Sequence, residues 1–413
     1  MSGSASAQTP ADQSLVAVRT EVEKLRQEFD AIRKQYDARL AELEARLAVL
    51  EGRQPQAAPA APTTPEAAVP AGAAGAGGPT GSLPVYGNVN VLSKIFNPDI
   101  AVIGDFEGAA GRNLVNPQAP LEMAESEASL QAIVDPYARA DFFFSFGSDG
   151  VEVEEGFITF PTLPGGFLAK VGKMRASFGK VNAMHTHVLP WVDRPLVTQN
   201  LVGGDEGIAD AGISVGRLIM NPWVFLEATG EVYRGQSDVF GSYTRSDLTY
   251  VGRLRGYQDV SESSNIDVGA SVAYGGSELE PGLKTRLFGL DATFRYRPLR
   301  RAIYRRFVAR TEAIWSRRDL EDDERATAFG TYVSADYQFA RRWFVGGRYD
   351  FSERAFDPSV RDKSGSLLLT YWPSEFSQVR GQFRRINFGD GPTANEFLFQ
   401  FLFSIGAHGA HVF

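Results

Sequence analysis

The 413-residue sequence contains no cysteine and no long apolar run. The absence of cysteine excludes a disulfide framework, a thiolate metal site and a cysteine nucleophile. No stretch approaches the ~18 consecutive apolar residues of a membrane-spanning helix, so a helical membrane protein is excluded. The formal net charge of −8 argues against a nucleic-acid partner. A barrel hydrolase would need a serine or aspartate set against a histidine. The chain has four histidines, and the candidates His185 and His187 do not lie in a recognisable nucleophile motif. We therefore predict no enzyme activity and no cofactor.

Glycine and aromatic residues are abundant, with 42 Gly, 29 Phe and 14 Tyr. The final stretch shows how they are arranged. Apolar residues occupy every second position, at Phe397, Phe399, Phe401, Phe403 and Ile405. Successive side chains of a strand point to opposite faces, so this face needs an apolar medium. The other face carries Glu396, Gln400 and Ser404 among leucines, as expected for a barrel wall with lipid outside and water inside.

The same unit of about ten residues repeats toward the C-terminus, followed alternately by a short turn and a longer polar loop. This alternation is typical of an up-and-down membrane barrel. Two places break it: 147–150 is short where a long loop is due, and 257–265 is long where a turn is due. We predict an all-β transmembrane β-barrel of about sixteen antiparallel strands in residues 84–413, preceded by an α-helical coiled-coil segment. The strands are predicted to begin near Asp99, Glu127, Tyr137, Val151, Phe167, Asp210, Trp223, Arg245, Ile266, Lys284, Ala302, Ala326, Arg342, Ser364, Glu375 and Thr393.

The N-terminal part has a different organisation. Residues 1–13 are predicted to be a disordered N-terminus left by signal-peptide cleavage, because 4–8 resembles the small-residue remnant beside such a site. Residues 14–52 show heptad spacing with charged residues between, which predicts a coiled-coil helix that self-associates; a single amphipathic helix lying on its own domain is the alternative. Residues 53–83, rich in Ala, Pro and Gly, form the linker. The seam includes Val18, Val22, Leu25, Phe29, Ile32 and Tyr36.

Arginines collect on the parity opposite to the apolar face of the predicted strands. An arginine facing lipid at the midplane would cost ~2–4 kcal/mol, so the inner wall is the cheaper place for it. Two interpretations remain open: an electropositive strip that attracts anions into a water-filled pore, or arginines that pair with nearby carboxylates and brace the wall. The predicted pore-lining residues are Arg253, Arg255, Arg295, Arg306, Arg310, Arg348, Arg380 and Arg384.

The longest predicted loop, 178–207, follows the fifth strand. A loop of this length in a sixteen-stranded barrel can fold into the lumen and narrow it. We predict a constriction loop with His185, His187, Trp191, Asp193 and Arg194. Two histidines alone make a weak metal site, so hydrogen bonding or interface roles are favoured and no metal is predicted.

The stretch Ala169–Gly179, with Val-Gly-Lys before a Phe-Gly turn, resembles a strand of the phosphate-selective porin family of Gram-negative outer membranes. The order of signal, coiled coil, linker and barrel is similar too. The resemblance implies a homotrimeric passive channel in the outer membrane. That family's anion site combines an arginine ladder with a lysine cluster, and this sequence matches neither residue by residue.

These observations predict an outer-membrane porin that lets small hydrophilic solutes diffuse passively, with a preference for anions. The alternative is a structural protein that tethers the membrane to the cell wall, with the coiled coil reaching through the periplasm to peptidoglycan. The expected partners are the lipid bilayer, further copies in a homotrimer, and the barrel-assembly machinery. Outer-membrane barrels resemble one another in ending on an aromatic residue that this machinery recognises, which assigns the assembly signal to Phe413.

Overall fold

The computed structural model describes residues 99–147 and 150–406. They form sixteen antiparallel strands in one closed barrel, each paired with its neighbours in sequence, and the first strand pairs with the last. The predicted all-β barrel of sixteen strands is thus confirmed. The strands are β1 (Asp99–Arg112), β2 (Glu122–Asp135), β3 (Ala138–Gly147), β4 (Gly150–Leu163), β5 (Phe167–Arg175), β6 (Ala209–Ile219), β7 (Phe225–Tyr233), β8 (Thr249–Ser261), β9 (Ser264–Gly276), β10 (Lys284–Tyr296), β11 (Arg306–Asp319), β12 (Arg325–Ala340), β13 (Trp343–Glu353), β14 (Arg361–Ser374), β15 (Ser377–Asn387) and β16 (Ala394–Gly406).

The two faces of the wall follow the period of two in the sequence. In β16 the even-numbered residues from 394 to 404 are buried and the odd-numbered residues are exposed or half-buried. Phe397 is 51% exposed, whereas its neighbour Leu398 is 0% exposed. The inward face is buried because the lumen contains protein. The outward face presents apolar side chains, as a wall in contact with lipid requires.

The two ends of the barrel differ in their connections. At the short-turn end, β2–β3, β12–β13 and β14–β15 are joined by two residues each, and at the long-loop end β5–β6 are joined by 176–208. The segment 257–265 is not a long loop: β8 continues to Ser261 and β9 starts at Ser264, because strand pairing extends through these polar residues. The short connection predicted at 147–150 is confirmed, because β3 ends at Gly147 and β4 begins at Gly150.

One short α-helix, α1 (Leu196–Leu201), and three 3₁₀ turns, Thr186–Val188, Leu299–Arg301 and Glu321–Asp323, complete the described elements. Within residues 99–147 and 150–406, no helix combines the length and the apolar character required to cross a membrane. The predicted coiled coil at 14–52, the linker at 53–83, residues 84–98 and Phe413 all lie outside the described residues.

Candidate functional site

The connection between β5 and β6, residues 176–208, lies inside the barrel and is called here the lumen loop. Two glycines fix how it leaves the wall. Gly172 in β5 has φ +146°, and a Cβ there would meet the backbone of Phe157 on β4. Gly179 has φ +59°, and a Cβ there would collide with the Glu312 carboxylate. Gly172 of the Val-Gly-Lys motif is therefore required by the close approach of the β4 backbone, and Gly179 of the Phe-Gly motif by a left-handed backbone turn.

The first part of the lumen loop is held by inward side chains of β7, β8 and β11. Ser177 donates from its backbone N–H and its hydroxyl to the Glu231 carboxylate, at 2.8 and 2.7 Å. Arg253 donates to the carbonyl of Gly179 at 2.6 Å. Glu312 accepts from the N–H of Lys180 at 3.1 Å. Charged groups therefore satisfy the backbone of a segment that has no regular secondary structure.

Asp193 is the charged centre of the lumen loop and is 5% exposed. Its carboxylate accepts hydrogen bonds from Arg348 at 2.8 Å and from Arg384 at 2.7 Å. Gln382 donates to its other oxygen at 2.5 Å. Burial raises the pKa of Asp193, but the two guanidinium groups lower it to about 2. Asp193 is therefore charged at neutral pH and ties the loop to β13 and β15.

Apolar packing accompanies this ion-pair network. Trp191 is 1% exposed; its ring packs edge-on against Tyr332 on β12 at a centroid distance of 5.1 Å, and the Arg348 guanidinium lies 4.9 Å from the centroid of the Trp191 ring. The carbonyl of Leu189 accepts from Arg380 on β15 at 2.9 Å. The buried Trp191 ring and the buried guanidinium groups therefore stabilise the same part of the lumen loop, Leu189 to Asp193.

The eight predicted pore-lining arginines all lie on the barrel strands, and they fall into two groups. Arg253, Arg348, Arg380 and Arg384 are buried, at 3–9% exposure; Arg253, Arg348 and Arg380 donate to carbonyls of the lumen loop, and Arg348 and Arg384 to the Asp193 side chain. The second group lies on β8, β10 and β11 and is partly exposed: Arg255, Arg295, Arg306 and Arg310.

The second group is called here the arginine cluster. Arg255 pairs with Asp267 at 2.7 Å, and Arg310 with Asp336 at 2.5 Å. Arg295 lies 3.8 Å from Asp267. The side chains of Arg255, Arg295 and Arg310 retain 16%, 20% and 20% exposure. The cluster has four guanidinium groups beside the carboxylates of Asp267 and Asp336, so it combines wall bracing with a local excess of positive charge.

The two histidines of the lumen loop meet acidic residues of β2 and β4. His185 Nδ1 lies 2.8 Å from Glu127 and 2.9 Å from Glu154, and its Nε2 lies 2.8 Å from Glu155. His187 Nδ1 lies 3.7 Å from Glu127. Burial lowers the pKa of His185, but its close contacts with the surrounding glutamates raise it well above the ordinary value. For His187 burial also opposes the charged form, and the charge of Glu127 is the main effect that raises its pKa.

A β-bulge explains why two adjacent glutamates face the same site. In the β3–β4 pairing Phe143 lies opposite Glu155 and Phe144 opposite Val153, so Glu154 is the extra residue. A bulge re-aims side chains that a regular strand would place on opposite faces. The interrupted alternation of Val151 through Glu155 was the available sequence signal. Sequence reasoning missed the acidic residues around the histidines: Glu125, Glu127, Glu154 and Glu155.

All five predicted constriction-loop residues lie in the lumen loop. His185, His187, Trp191, Asp193 and Arg194 are each at most 8% exposed. Arg194 donates to the carbonyl of Met184 at 2.8 Å and pairs with Asp205 at 3.3 Å. It therefore braces the loop internally, whereas Asp193 and the histidines bind the wall.

No family model matches the chain. An uncharacterized protein of Aquifex aeolicus (strain VF5) is 31% identical over 386 residues, covering 78% of this chain and 81% of that protein.

Among solved structures, a loop L8 deletion mutant of OmpT, an outer membrane protein of Vibrio cholerae, matches with a TM-score of 0.52 at 10% identity; the match covers 75% of this chain and 99% of the OmpT chain. OprB of Pseudomonas putida matches with a TM-score of 0.53 at 9% identity, covering 75% of this chain and 94% of the OprB chain. The outer membrane channel DcaP of Acinetobacter baumannii matches with a TM-score of 0.51 at 11% identity, covering 75% of this chain and 96% of the DcaP chain. The chain shares its fold with these proteins.

Proposed function

We propose that this chain, which belongs to the same family as the uncharacterized protein of Aquifex aeolicus, is an outer-membrane porin for passive diffusion of small hydrophilic solutes. The observation that carries the proposal is the lumen: a loop narrows it from within, yet the arginine cluster on its wall stays partly exposed. Water-exposed charge on the inner wall and an apolar outer face are the arrangement of a channel in lipid. The fold likeness to DcaP, described as a channel, agrees with this function.

Anion preference is the finer part of the proposal. The four residues of the arginine cluster lie on β8, β10 and β11. The charges of Arg295, Arg306 and Arg310 act on one another. A lumen with low-dielectric walls concentrates the field of such a group and attracts anions. Asp267 and Asp336 offset part of this charge, which favours a weak preference over a strict filter.

Further features complete the proposed account. The resemblance of Ala169–Gly179 to the phosphate-selective porins supports a homotrimer in a Gram-negative outer membrane, with the coiled coil of 14–52 in the periplasm. Phe413 serves as the signal for the barrel-assembly machinery. The pore-lining and constriction roles rest on the inward position of the arginines and of the lumen loop.

The second candidate function is a tether between the membrane and peptidoglycan. The extensive attachment of the lumen loop favours it, because a well-filled barrel is also a suitable anchor. Conductance in planar bilayers separates the two functions. A porin gives discrete, ohmic current steps after insertion of the purified protein. A tether gives no steps, and its residues 14–51 pull down with isolated peptidoglycan.

A further inference from the structure

Four side chains from two separate parts of the chain converge in the lumen. Glu125 and Glu127 project from β2, and His185 and His187 from the lumen loop. One ligand-type atom of each residue lies within 4.8 Å of those of the other three. Glu127, His185 and His187 are 2%, 8% and 4% exposed. This group is called here the histidine–glutamate site.

The imidazole of His185 is oriented by a residue outside this group. Its Nε2 lies 2.8 Å from the Glu155 carboxylate, which also accepts from the N–H of Arg175 at 2.7 Å. This contact directs the other ring nitrogen, Nδ1, toward Glu127. A carboxylate that holds one nitrogen of a histidine while the other faces a cation is the usual support of a metal-binding histidine.

One ring nitrogen of His185 faces two carboxylates. Its Nδ1 lies 2.8 Å from Glu127 Oε2 and 2.9 Å from Glu154 Oε2, and all three atoms are buried. A ring nitrogen carries at most one N–H, and here it is not aligned with either oxygen as a hydrogen bond requires. Buried polar atoms normally have a well-aligned partner, and leaving one without costs about 1–3 kcal/mol. A cation bound beside Nδ1 and the carboxylate oxygens would satisfy them together.

The separations suit a metal ion. With ligand bonds of about 2.1 Å, neighbouring ligand atoms lie roughly 3.0 Å apart in an octahedron and roughly 3.4 Å apart in a tetrahedron. Glu127 Oε2 lies 2.8 Å from His185 Nδ1 and 3.7 Å from His187 Nδ1, and Glu125 Oε2 lies 3.8 Å from His187 Nδ1. Small movements of these side chains would centre an ion among them.

We propose that His185, His187, Glu125 and Glu127 bind one divalent transition-metal ion of the Zn²⁺ class. Two imidazoles favour such an ion over Ca²⁺ and Mg²⁺, which prefer oxygen ligands. The charge balance agrees, because four carboxylates, including Glu154 and Glu155, surround the site, and Arg175 pairs with Glu154 at 3.6 Å. The side chains of His185, Glu125, Glu154 and Glu155 retain 10–13% exposure, so the site is not fully sealed from solvent.

The ion joins the lumen loop to β2. Asp193 joins the same loop to β13 and β15, and the contacts of Ser177 to Lys180 join it to β7, β8 and β11. The metal therefore adds an attachment to another part of the wall. Binding of the ion does not depend on conduction, because a tether with the same barrel would bind it equally.

The test is zinc binding by the full-length protein folded in detergent. Protein is stripped with a chelator, dialysed and titrated with Zn²⁺ in a calorimeter, and bound zinc is counted by mass spectrometry. The site variant is the double substitution His185→Gln with His187→Gln. The matched control is His408→Gln with His411→Gln, which removes the other two histidines of the chain. Barrel folding is verified for each variant by circular dichroism and heat-modifiable gel migration.

We expect about one zinc per chain in the wild type and the control, and its loss in the site variant. Glu155→Gln should keep the stoichiometry and weaken affinity about 10–100-fold, since it removes only the support of His185. Absence of zinc binding by the wild type, or equal binding by the site variant, overturns the proposal.

If the site variant does not fold, X-ray absorption of the zinc-loaded wild type decides. A shell with two imidazole nitrogens supports the site, and an all-oxygen shell overturns it.

Discussion

Asp193 and Arg348 make two hydrogen bonds with each other across the lumen. Arg348 donates from Nη1 to the Asp193 carbonyl and from Nη2 to its carboxylate, both at 2.8 Å. The two side chains are 2% and 0% exposed, and 155 residues of chain separate them. A single residue of the lumen loop is thereby fixed through both its backbone and its side chain.

Asp193→Asn should release this part of the loop. Removing one member of a buried ion pair costs about 3–5 kcal/mol, because the partner charge remains buried. Single-channel conductance and current noise should both rise. Asp205→Asn is the matched control: Asp205 lies in the same loop and pairs with Arg194, but its side chain is 75% exposed. Equal currents from both variants would show that Asp193 does not hold the loop.

Acid should reproduce that effect only at very low pH. The pKa of Asp193 is lowered to about 2 by Arg348 and Arg384, despite its burial. A lowered carboxyl pKa contributes stability that is complete above the ordinary value of about 4 and is lost as pH falls through the lowered value. Two other polar groups face this ion pair: Gln382 donates a hydrogen bond to Asp193, and Arg348 also donates to the Asp350 carboxylate at 2.8 Å.

Asp193 should therefore cause little change in the conductance of the wild type between about pH 7 and pH 5, because this range lies above both its lowered pKa and the ordinary pKa. The measurement is the difference between wild type and Asp193→Asn across this range. A difference that disappears already near pH 5 would contradict the ion-pair account.

The barrel was predictable from the sequence because strand pairing is local. Alternation in 397–405 identified the outward face, and β1, β5 and β10 begin at the predicted residues Asp99, Phe167 and Lys284. β2 begins at Glu122, five residues before the prediction, because polar Glu125 and Glu127 belong to a strand whose inner face meets the lumen loop. Patterning alone does not show that a loop will neutralise such residues.

The candidate site was predictable only in part for the same reason. The loop and its histidines could be picked out by length and residue type, but their partners on β2 and β4 depend on where the loop docks. The Glu154 bulge adds a face change that strict alternation excludes. The role of the buried arginines likewise required the position of Asp193.

Deletion of residues 14–51 should weaken oligomerisation, because the heptad seam is predicted to associate with copies of itself. Native gels of the full-length and shortened proteins measure the trimer fraction. A shortened protein with the same trimer content would show that contacts between barrels suffice.

Phe413→Ala should reduce the amount of protein assembled in the outer membrane with little effect on the unfolding of protein that has assembled. Quantitative blotting of membrane fractions gives the first quantity and heat-modifiable migration the second. Tyr371→Ala, within β14, is the comparison that keeps the final residue. Normal membrane levels of Phe413→Ala would remove the recognition role.

Removal of three of the four arginines of the arginine cluster should abolish anion preference. Arg255, Arg295 and Arg310 are replaced together by glutamine, which keeps hydrogen-bonding capacity and removes charge. Arg217→Gln is the control, since Arg217 is exposed on β6 and contacts the Phe167 ring at 4.9 Å. The control should keep the selectivity of the wild type, and the triple variant should shift toward cations.

The reversal potential of the wild-type channel in a potassium chloride gradient decides whether the barrel is a porin that prefers anions. Purified protein is inserted into a planar bilayer, and the sign of the zero-current voltage is measured. We expect discrete channels whose reversal potential has the sign of chloride preference. A cation-selective sign, or a correctly folded barrel that carries no current, would contradict it.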